Sequence, residues 1–423
     1  MTFATSLYER IRSTNVVRDG MLVFAAAMLL NVCAFAFHAI VSRKLGVTAY
    51  GALYVVISLA LLAGFPSVIV NTVVTKTAAE FRALHDDAHL RALIVAVCKV
   101  FSWGLLFYVA GGIALAVPIG SFLTVPAWTV ALAAAMAGAL VLVFALRGVA
   151  QGTQDFRGLS AAFVTDGILK ATLGAALAAS LGLAGGLIGF FAGTLISGAY
   201  TMWRLWRQYG SAARTEFQID LSRVLTTTAG AAALAASTAI LSYGDVVVVK
   251  HFFDAHDAGV YAAASLAGKI LFFLVGFAPT VLLPKAVHAH SRGENAIPAL
   301  SGAMGMVIVL AAAGLIGFLL AGKAILHALV GPAFVAAAPL LPLYGLAMSL
   351  LGVTNVIAAY SIAIHRFAFS VPLVVLAVGE IVSIGLYHPT LFGVVTVLVL
   401  GNALALAVVA LASLKRSADL IPS

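Results

Sequence analysis

The chain is organised around the sequence GDVVVVKHFFDAHDAGVYAAASLAGKI, residues Gly244 to Ile270. This stretch leaves one apolar segment through Asp245 and Lys250, passes through a short polar patch and re-enters apolar sequence at Gly259. The segment VSRKLGVTAYGALYVVISL, residues 41–59, makes a similar passage in the first half of the chain. Two such passages indicate an internal duplication.

Composition places the whole chain in a membrane. Hydrophobic residues make up 63% of it, charged residues only 9%, and the mean hydropathy is +1.12. Soluble domains carry about 25% charged residues, so this chain has too few to form a water-exposed surface. Long apolar runs favour helices over the alternating strands of a membrane barrel. The two cysteines, Cys33 and Cys98, lie inside apolar segments and imply no disulfide framework.

Twelve apolar segments are long enough to span a membrane as helices, which takes about 20 residues each. The first contains Ala34-Phe35-Ala36, which resembles a signal-peptide cleavage site, but the apolar run continues to Val41 and predicts a retained helix. The predicted spans are 20–42, 52–74, 92–117, 127–147, 160–181, 184–203, 225–249, 259–283, 298–320, 336–363, 368–387 and 390–413.

The positive charges of the connections predict the orientation. On alternate sides of the predicted spans, seventeen Lys and Arg residues fall on one side and four on the other. The remaining three of the 24, Lys99, Lys170 and Lys269, lie within spans. The positive-inside rule therefore predicts that both termini are cytoplasmic. It also explains the net charge of +9 without a nucleic-acid partner.

The duplication predicts two six-helix bundles, residues 1–210 and 211–423. An even number of helices in each half keeps the halves in the same orientation, related by an axis along the membrane normal. Three features recur in the same order in both halves: Gly51 and Gly259, Gly64-Phe65-Pro66 and Gly276-Phe277-Ala278-Pro279, and Arg157 and Arg366.

Motifs of soluble enzyme chemistry are missing from the sequence. It has no phosphate-binding loop, no H-E-x-x-H and no paired C-x-x-C. His85 and His89 stand four apart in HDDAH, but no further ligand accompanies them, which favours solvated residues at a helix start over a metal site. The connections on the predicted external side are short and nearly free of acid, unlike those expected of a membrane glycosyltransferase or polymerase. We therefore expect no enzyme activity, no cofactor and no metal.

Ionisable residues inside the predicted spans are the main candidates for function, because each costs a few kcal/mol on insertion scales. Lys269 and Glu380 lie near mid-membrane, whereas Asp245 lies near the external end of its span, where an interfacial position is the alternative. Asp166 and Lys170 stand four apart on one helix, which fits either self-neutralisation or a transport role. The remaining candidate, Lys99, lies within snorkelling reach of the cytoplasmic interface.

Three stretches resemble a known family, the oligosaccharide flippases or polysaccharide biosynthesis membrane proteins. They are SRKLGVTAYG (Ser42 to Gly51), ALRGVAQGTQDFRGLS (Ala145 to Ser160) and the Gly244 to Ile270 segment, and the likeness covers essentially the whole chain. The family belongs to the multidrug/oligosaccharidyl-lipid/polysaccharide exporter superfamily, with the multidrug and toxin extruders. The resemblance implies an all-α membrane fold of twelve helices in two six-helix bundles, arranged as a V with pseudo-twofold symmetry. It also implies alternating access around a central cavity.

The implied substrate is a polyprenyl-diphosphate-linked oligosaccharide, moved from the cytoplasmic to the outer leaflet of the bacterial inner membrane for surface polysaccharide biosynthesis. Glycosyltransferases and a glycan polymerase are the implied partners. A diphosphate needs cations, and lysine acts on phosphate as a point charge. Lys170 and Lys269 are the predicted substrate-binding residues, with Arg43, Lys44 and Arg147 as contacts at the rim. The chain nevertheless has fewer interior cations than such a cavity is expected to hold.

Glu380, Asp166 and Asp245 are the residues expected to carry a coupling proton or sodium ion if transport is ion-driven. A drug or metabolite antiporter on the same fold is the alternative function, and it would depend on an interior acid. A scaffold for glycan-assembling enzymes, without transport of its own, is a third.

Overall fold

A computed structural model of the chain describes residues 2–217, 221–275, 297–363 and 366–414. Within these ranges the regular structure is helical and no β-strand is present. The helices are α1 Thr2–Ala63, α2 Pro66–Ala83, α3 Asp87–Ala114, α4 Ala116–Phe122, α5 Ala127–Gly152, α6 Phe156–Tyr209, α7 Leu221–Phe252, α8 Ala255–Val275, α9 Ile297–Leu329, a 3₁₀ helix Pro332–Leu340, α10 Leu341–Ala363, α11 Ser370–Leu386 and α12 Leu391–Leu414.

The predicted all-α membrane fold class is confirmed, although the division into helices differs from the expected one. Nine helical stretches among the described residues are long and apolar enough to cross a membrane. One of them, Phe156–Tyr209, carries two of the predicted spans, and another, Arg18–Ala63, carries the first span and part of the second. Helix α11 is apolar but has only 17 residues. Each of the twelve predicted spans lies mostly on helix where the structure describes it.

Glycine and proline account for the interruptions. Gly46, with φ 73° and ψ 177°, breaks α1, and Gly182, with φ 60° and ψ −135°, breaks α6. Residues with a Cβ atom rarely adopt a positive φ, so glycine fits both positions. The first glycine–proline motif also coincides with a break, inside the predicted span 52–74, because α1 ends at Ala63 and α2 begins at Pro66. Its repeat, at residues 276–279, lies outside the described residues.

Helix α6 is a tight antiparallel hairpin that turns at Gly182. A Cβ atom on Gly189 would lie 2.4 Å from the Cα of Gly174. A Cβ on Gly193 would lie 2.9 Å from the Cγ of Lys170. Both pairs are centred on the turn, as the two arms of a hairpin require. Small residues at every fourth position of the second arm make this close approach possible.

Contacts divide the described chain into two compact units that do not coincide with its sequence halves. Unit 1 comprises the described residues of Met1–Lys44, Ser67–Ala114 and Ala134–Val224. Unit 2 comprises those of Leu45–Pro66, Leu115–Ala133 and Leu225–Ser423. The second segment of α1 therefore belongs to unit 2. The predicted bundle boundary at residue 210 stays a prediction.

Helix α8 forms the centre of unit 2. Every residue from Ala258 to Lys269 is buried, as expected of a helix that is apolar on all sides. Its Gly259 packs on Gly51 of α1, where an added Cβ on Gly51 would lie 2.8 Å from the Cα of Gly259. These are the two glycines that the duplication placed at equivalent positions, and they are in contact.

Candidate functional site

Asp166 is the centre of a buried polar cluster in unit 1, called here the Asp166 cluster. Helix α5 supplies Arg147, whose Nη2 donates hydrogen bonds to Asp166 Oδ2 at 2.8 Å and to Ser197 Oγ at 2.6 Å. From the first arm of α6, Lys170 Nζ lies 3.0 Å from Asp166 Oδ1. Thr194, on the second arm, donates to the same oxygen at 3.4 Å. The pair predicted between positions 166 and 170 is therefore formed.

The Asp166 cluster keeps one net positive charge, because two cations surround one carboxylate. Arg147 and Lys170 are 4% and 8% exposed. The Arg147 guanidinium also lies 5.0 Å from the ring centroid of Phe163, and the Lys170 ammonium lies 4.5 Å from that of Phe190. The expected rim position does not hold for Arg147, because its side chain is enclosed by α6 and aromatic rings.

A second buried cluster, the Asp245 cluster, lies in unit 2. Its members come from four helices and are all less than a tenth exposed. They are Tyr54 from α1, Asp245 from α7, Tyr261, Ser265 and Lys269 from α8, and Tyr344 from α10. The three α8 residues stand four apart and so share one face of the helix. The Asp245 side chain is 0% exposed, so it is enclosed by protein.

Hydroxyl groups connect Lys269 to Asp245 without a direct ion pair between them. Lys269 Nζ donates to Tyr54 Oη at 3.1 Å, and Tyr54 Oη lies 3.3 Å from Ser265 Oγ. The Ser265 hydroxyl lies 2.8 Å from Tyr344 Oη, and Tyr344 donates to Asp245 Oδ2 at 2.7 Å. The result is a continuous line of polar contacts from the ammonium to the carboxylate.

Lys269 is an interior cation without a direct carboxylate partner among the described residues. It forms no ion pair with any acid that the structure describes. Its ammonium instead lies over the rings of Tyr243 and Tyr54, at 4.4 Å and 5.1 Å from their centroids. Aromatic faces stabilise a desolvated cation without neutralising it. The ammonium therefore has no direct carboxylate contact, and an anion could supply one.

Glu380, on α11, is an interior acid without a hydrogen-bond partner among the described residues. It is 3% exposed, and neither carboxyl oxygen accepts or donates a hydrogen bond there. The carboxyl lies against Gly401 of α12, where an added Cβ would come within 2.0 Å of Oε2. An isolated carboxylate is costly to bury, so this group is suited to hold a proton or a cation.

The remaining predicted residues are not members of either cluster. Arg43 and Lys44 are exposed, next to the Gly46 kink. His89, from the proposed loop pair, contacts Asp86 through Nδ1 at 2.6 Å, at the start of α3. Among the described residues, no three His, Cys, Asp or Glu side chains are grouped closely enough to hold a metal ion.

Sequence reasoning missed the hydroxyl groups of the Asp245 cluster. The four-residue spacing of Tyr261, Ser265 and Lys269 is a signal that identifies the first two. No local pattern identifies Tyr54 or Tyr344, because they come from helices distant in the sequence and meet α8 only in the folded chain.

Comparison with known proteins identifies the fold. No protein-family model matches the sequence, and no curated protein matches it significantly. Among solved structures, the inward-facing conformation of a multidrug resistance MATE family transporter of the MOP superfamily gives a TM-score of 0.76. Its sequence is 14% identical, and the match covers 95% of this chain and 98% of that one.

Two further structures share the fold. The lipid II flippase MurJ in an inward closed conformation gives a TM-score of 0.67 at 14% identity, over 96% of this chain and 88% of that one. The outward-facing conformation of a MATE transporter gives 0.61 at 18% identity, over 96% of each chain. At these identities the likeness shows the fold, which this multi-pass membrane protein shares with transporters.

Proposed function

We propose that this chain is a transporter of the MOP superfamily that flips a polyprenyl-diphosphate-linked oligosaccharide across the bacterial inner membrane. The fold shared with MATE transporters and the lipid II flippase MurJ supports transport. The observation that carries the choice of substrate is Lys269, a buried cation with no direct ion pair to an acid that the structure describes.

A diphosphate headgroup is the kind of ligand that Lys269 can recognise. An ammonium pairs with phosphate as a point charge, and the low dielectric of the interior strengthens that attraction. In the described conformation Lys269 is enclosed by tyrosines, so substrate contact requires α8 to separate from Tyr54. We assign Arg147 and Lys170 a supporting role, since the Asp166 cluster keeps one net positive charge. The exposed Arg43 and Lys44 remain proposed contacts for the incoming headgroup.

Ion coupling, in this proposal, involves Glu380 and Asp245. Both side chains are buried, and each has at least one carboxyl oxygen with no hydrogen-bond partner among the described residues. Such oxygens can take up a proton or a sodium ion during the cycle. Asp166 is a weaker candidate because Arg147 and Lys170 already occupy both of its oxygens.

Export of a surface glycan in a deletion strain tests the assignment of Lys269. We expect Lys269→Ala to abolish export at normal membrane levels and Lys269→Arg to restore part of it. Lys323→Ala, which removes an exposed cation from α9, is the matched control and is expected to export normally. Full export with Lys269→Ala would refute the role of Lys269.

A drug or metabolite antiporter is the second candidate, favoured by the partnerless carboxyl of Glu380. It predicts that the deletion strain becomes drug-sensitive while its surface glycan stays intact, and that Glu380→Gln reproduces this sensitivity. Loss of the glycan in the deletion strain, without drug sensitivity, would exclude it. A non-transporting scaffold would leave substitutions at Lys269 and Glu380 silent in both assays.

The proposed location is the inner membrane, with both termini cytoplasmic. Support comes from the charge bias of the connections and from the apolar helices. Genes for glycosyltransferases and a glycan polymerase beside this one would favour the flippase over the antiporter.

A further inference from the structure

A groove in unit 1 contains features that the proposed transport function does not use. It lies between α3 and the end of α6, is bordered by the segment that follows α6, and contains a half-open cavity of about 790 Å³. The residues that define this α3–α6 groove are Arg91, Lys99, Trp103, Trp206, Arg214 and Glu216.

The α3–α6 groove is strongly cationic. Arg91, Lys99 and Arg214 face one acid, Glu216, and none of the three cations forms an ion pair with an acid that the structure describes. Arg91 donates to the carbonyl oxygen of Ala212, which holds the segment after α6 against α3. Lys99 and Arg214 make no such bond to the described chain, so their charges are available to a ligand.

The groove also extends into the apolar part of α3. Lys99 lies eight residues beyond Arg91, about 12 Å along the helix, and Trp103 lies one turn further. Val95 and Val100 flank this line and are 46% and 41% exposed. A cation at this depth is costly without an anion. The groove therefore combines positive charge at one end with an exposed apolar strip at the other.

We propose that the α3–α6 groove binds an anionic glycerophospholipid. The lipid phosphate lies between Lys99 and Arg214, with Arg91 beside it, and an acyl chain follows Val95 and Trp103 along α3. Basic pockets between transmembrane helices on the cytoplasmic side bind anionic lipid headgroups in this way. Ordinary interfacial anchors lie singly at the surface, whereas these cations and tryptophans line one cavity. The binding is independent of the transport proposed for Lys269.

Native mass spectrometry of the full chain in detergent tests the proposal, with phosphatidylglycerol and phosphatidylcholine of identical acyl chains as probes. The test variant is Lys99→Gln/Arg214→Gln, which leaves Arg91 and its hydrogen bond intact. The control Lys76→Gln/Lys323→Gln removes the same charge from exposed positions. Each cation near a membrane surface contributes about 1 kcal/mol to anionic-lipid binding. At 1.4 kcal/mol for a factor of ten, we expect about 25-fold weaker phosphatidylglycerol binding in the test variant.

Wild type and control are expected to prefer phosphatidylglycerol, and only the test variant is expected to lose that preference. Equal affinity of the test and control variants, or equal binding of the two lipids by wild type, would overturn the proposal. Inorganic phosphate that binds with the same dependence on Lys99 and Arg214, while phosphatidylglycerol does not, would assign the groove to a soluble anion and also overturn it. Thermal unfolding of each variant without added lipid verifies that it is folded.

Discussion

Replacement of Asp166 by asparagine removes the only acid of the Asp166 cluster while preserving its shape. Asp166 lies 2.8 Å from Arg147 and 3.0 Å from Lys170. With an effective dielectric constant of about 20, each of these attractions is about 6 kcal/mol. They offset the several kcal/mol that each buried ion costs in desolvation. Asp166→Asn leaves two buried cations without compensation, and removal of one partner from such a group destabilises by about 3–5 kcal/mol.

Thermal unfolding in detergent measures this loss, and the chain supplies its own probes. Cys33 and Cys98 are free and half-buried, so a thiol-reactive fluorophore reports their exposure as unit 1 unfolds. At about 2–4 °C per kcal/mol, we expect Asp166→Asn to lower the midpoint by roughly 6–20 °C. Glu80→Gln, at an exposed position of α2, is the control and is expected to change the free energy of unfolding by less than about 0.5 kcal/mol.

A second substitution, at Lys170, tests whether the net charge of the cluster determines its stability. Asp166→Asn/Lys170→Met again has one net positive charge, as the wild-type cluster has. We expect this double variant to regain at least half of the decrease in unfolding midpoint that Asp166→Asn causes, because the remaining Arg147 keeps its hydrogen bond to Ser197. An Asp166→Asn midpoint within about 1 °C of wild type, or a double variant less stable than the single one, would show that charge balance does not stabilise this cluster.

Two further predictions concern packing and pH. Gly51→Val inserts a side chain where an added Cβ would lie only 2.8 Å from the Cα of Gly259. We expect thermal unfolding to show a loss of about 1–3 kcal/mol in stability. The control Gly104→Ala should show no loss, because an added Cβ there meets nothing within 4 Å. An equal midpoint for wild type and Gly51→Val would contradict the close contact. Burial acts to raise the pKa of Asp155, but hydrogen bonds from Arg204 and a backbone N–H outweigh it, so the pKa is lowered. Because the pKa of Asp155 is lower in the folded protein, its ionised carboxylate stabilises the fold at pH values above the ordinary aspartate pKa of about 4. This stabilisation is lost as the pH falls below about 4. Unfolding midpoints between pH 6 and 3 should therefore fall more steeply in wild type than in Asp155→Asn, and parallel curves would refute this.

Local sequence patterns were sufficient for the features that one helix contains. The spacing of Asp166 and Lys170 predicted their ion pair, and the apolar sequence around Lys269 predicted a buried lysine. The two kinked helices were harder to predict. A single glycine at Gly46 or Gly182 turns the chain within one continuous helical stretch, where separate helices and loops were expected.

Features that depend on several helices were not predicted. The predicted position of Arg147 is at a rim, yet its side chain reaches from α5 to both arms of α6, where it donates hydrogen bonds to Asp166 and Ser197. Tyr54 and Tyr344 carry no local signal, and their role follows only from the tertiary contacts of α8. The same holds for Lys99, which the sequence presented as a single snorkelling residue.

Flipping of a fluorescent polyprenyl-diphosphate-linked oligosaccharide in proteoliposomes tests the central claim directly. The measured quantity is the fraction of substrate that becomes accessible to a membrane-impermeant quencher over time. We predict that wild type and Lys323→Ala accelerate the exchange between leaflets, that Lys269→Ala returns it to the rate of protein-free vesicles, and that Lys269→Arg is intermediate. Wild-type vesicles that exchange the lipid no faster than protein-free ones, or a Lys269→Ala variant that flips at the wild-type rate, would contradict this account.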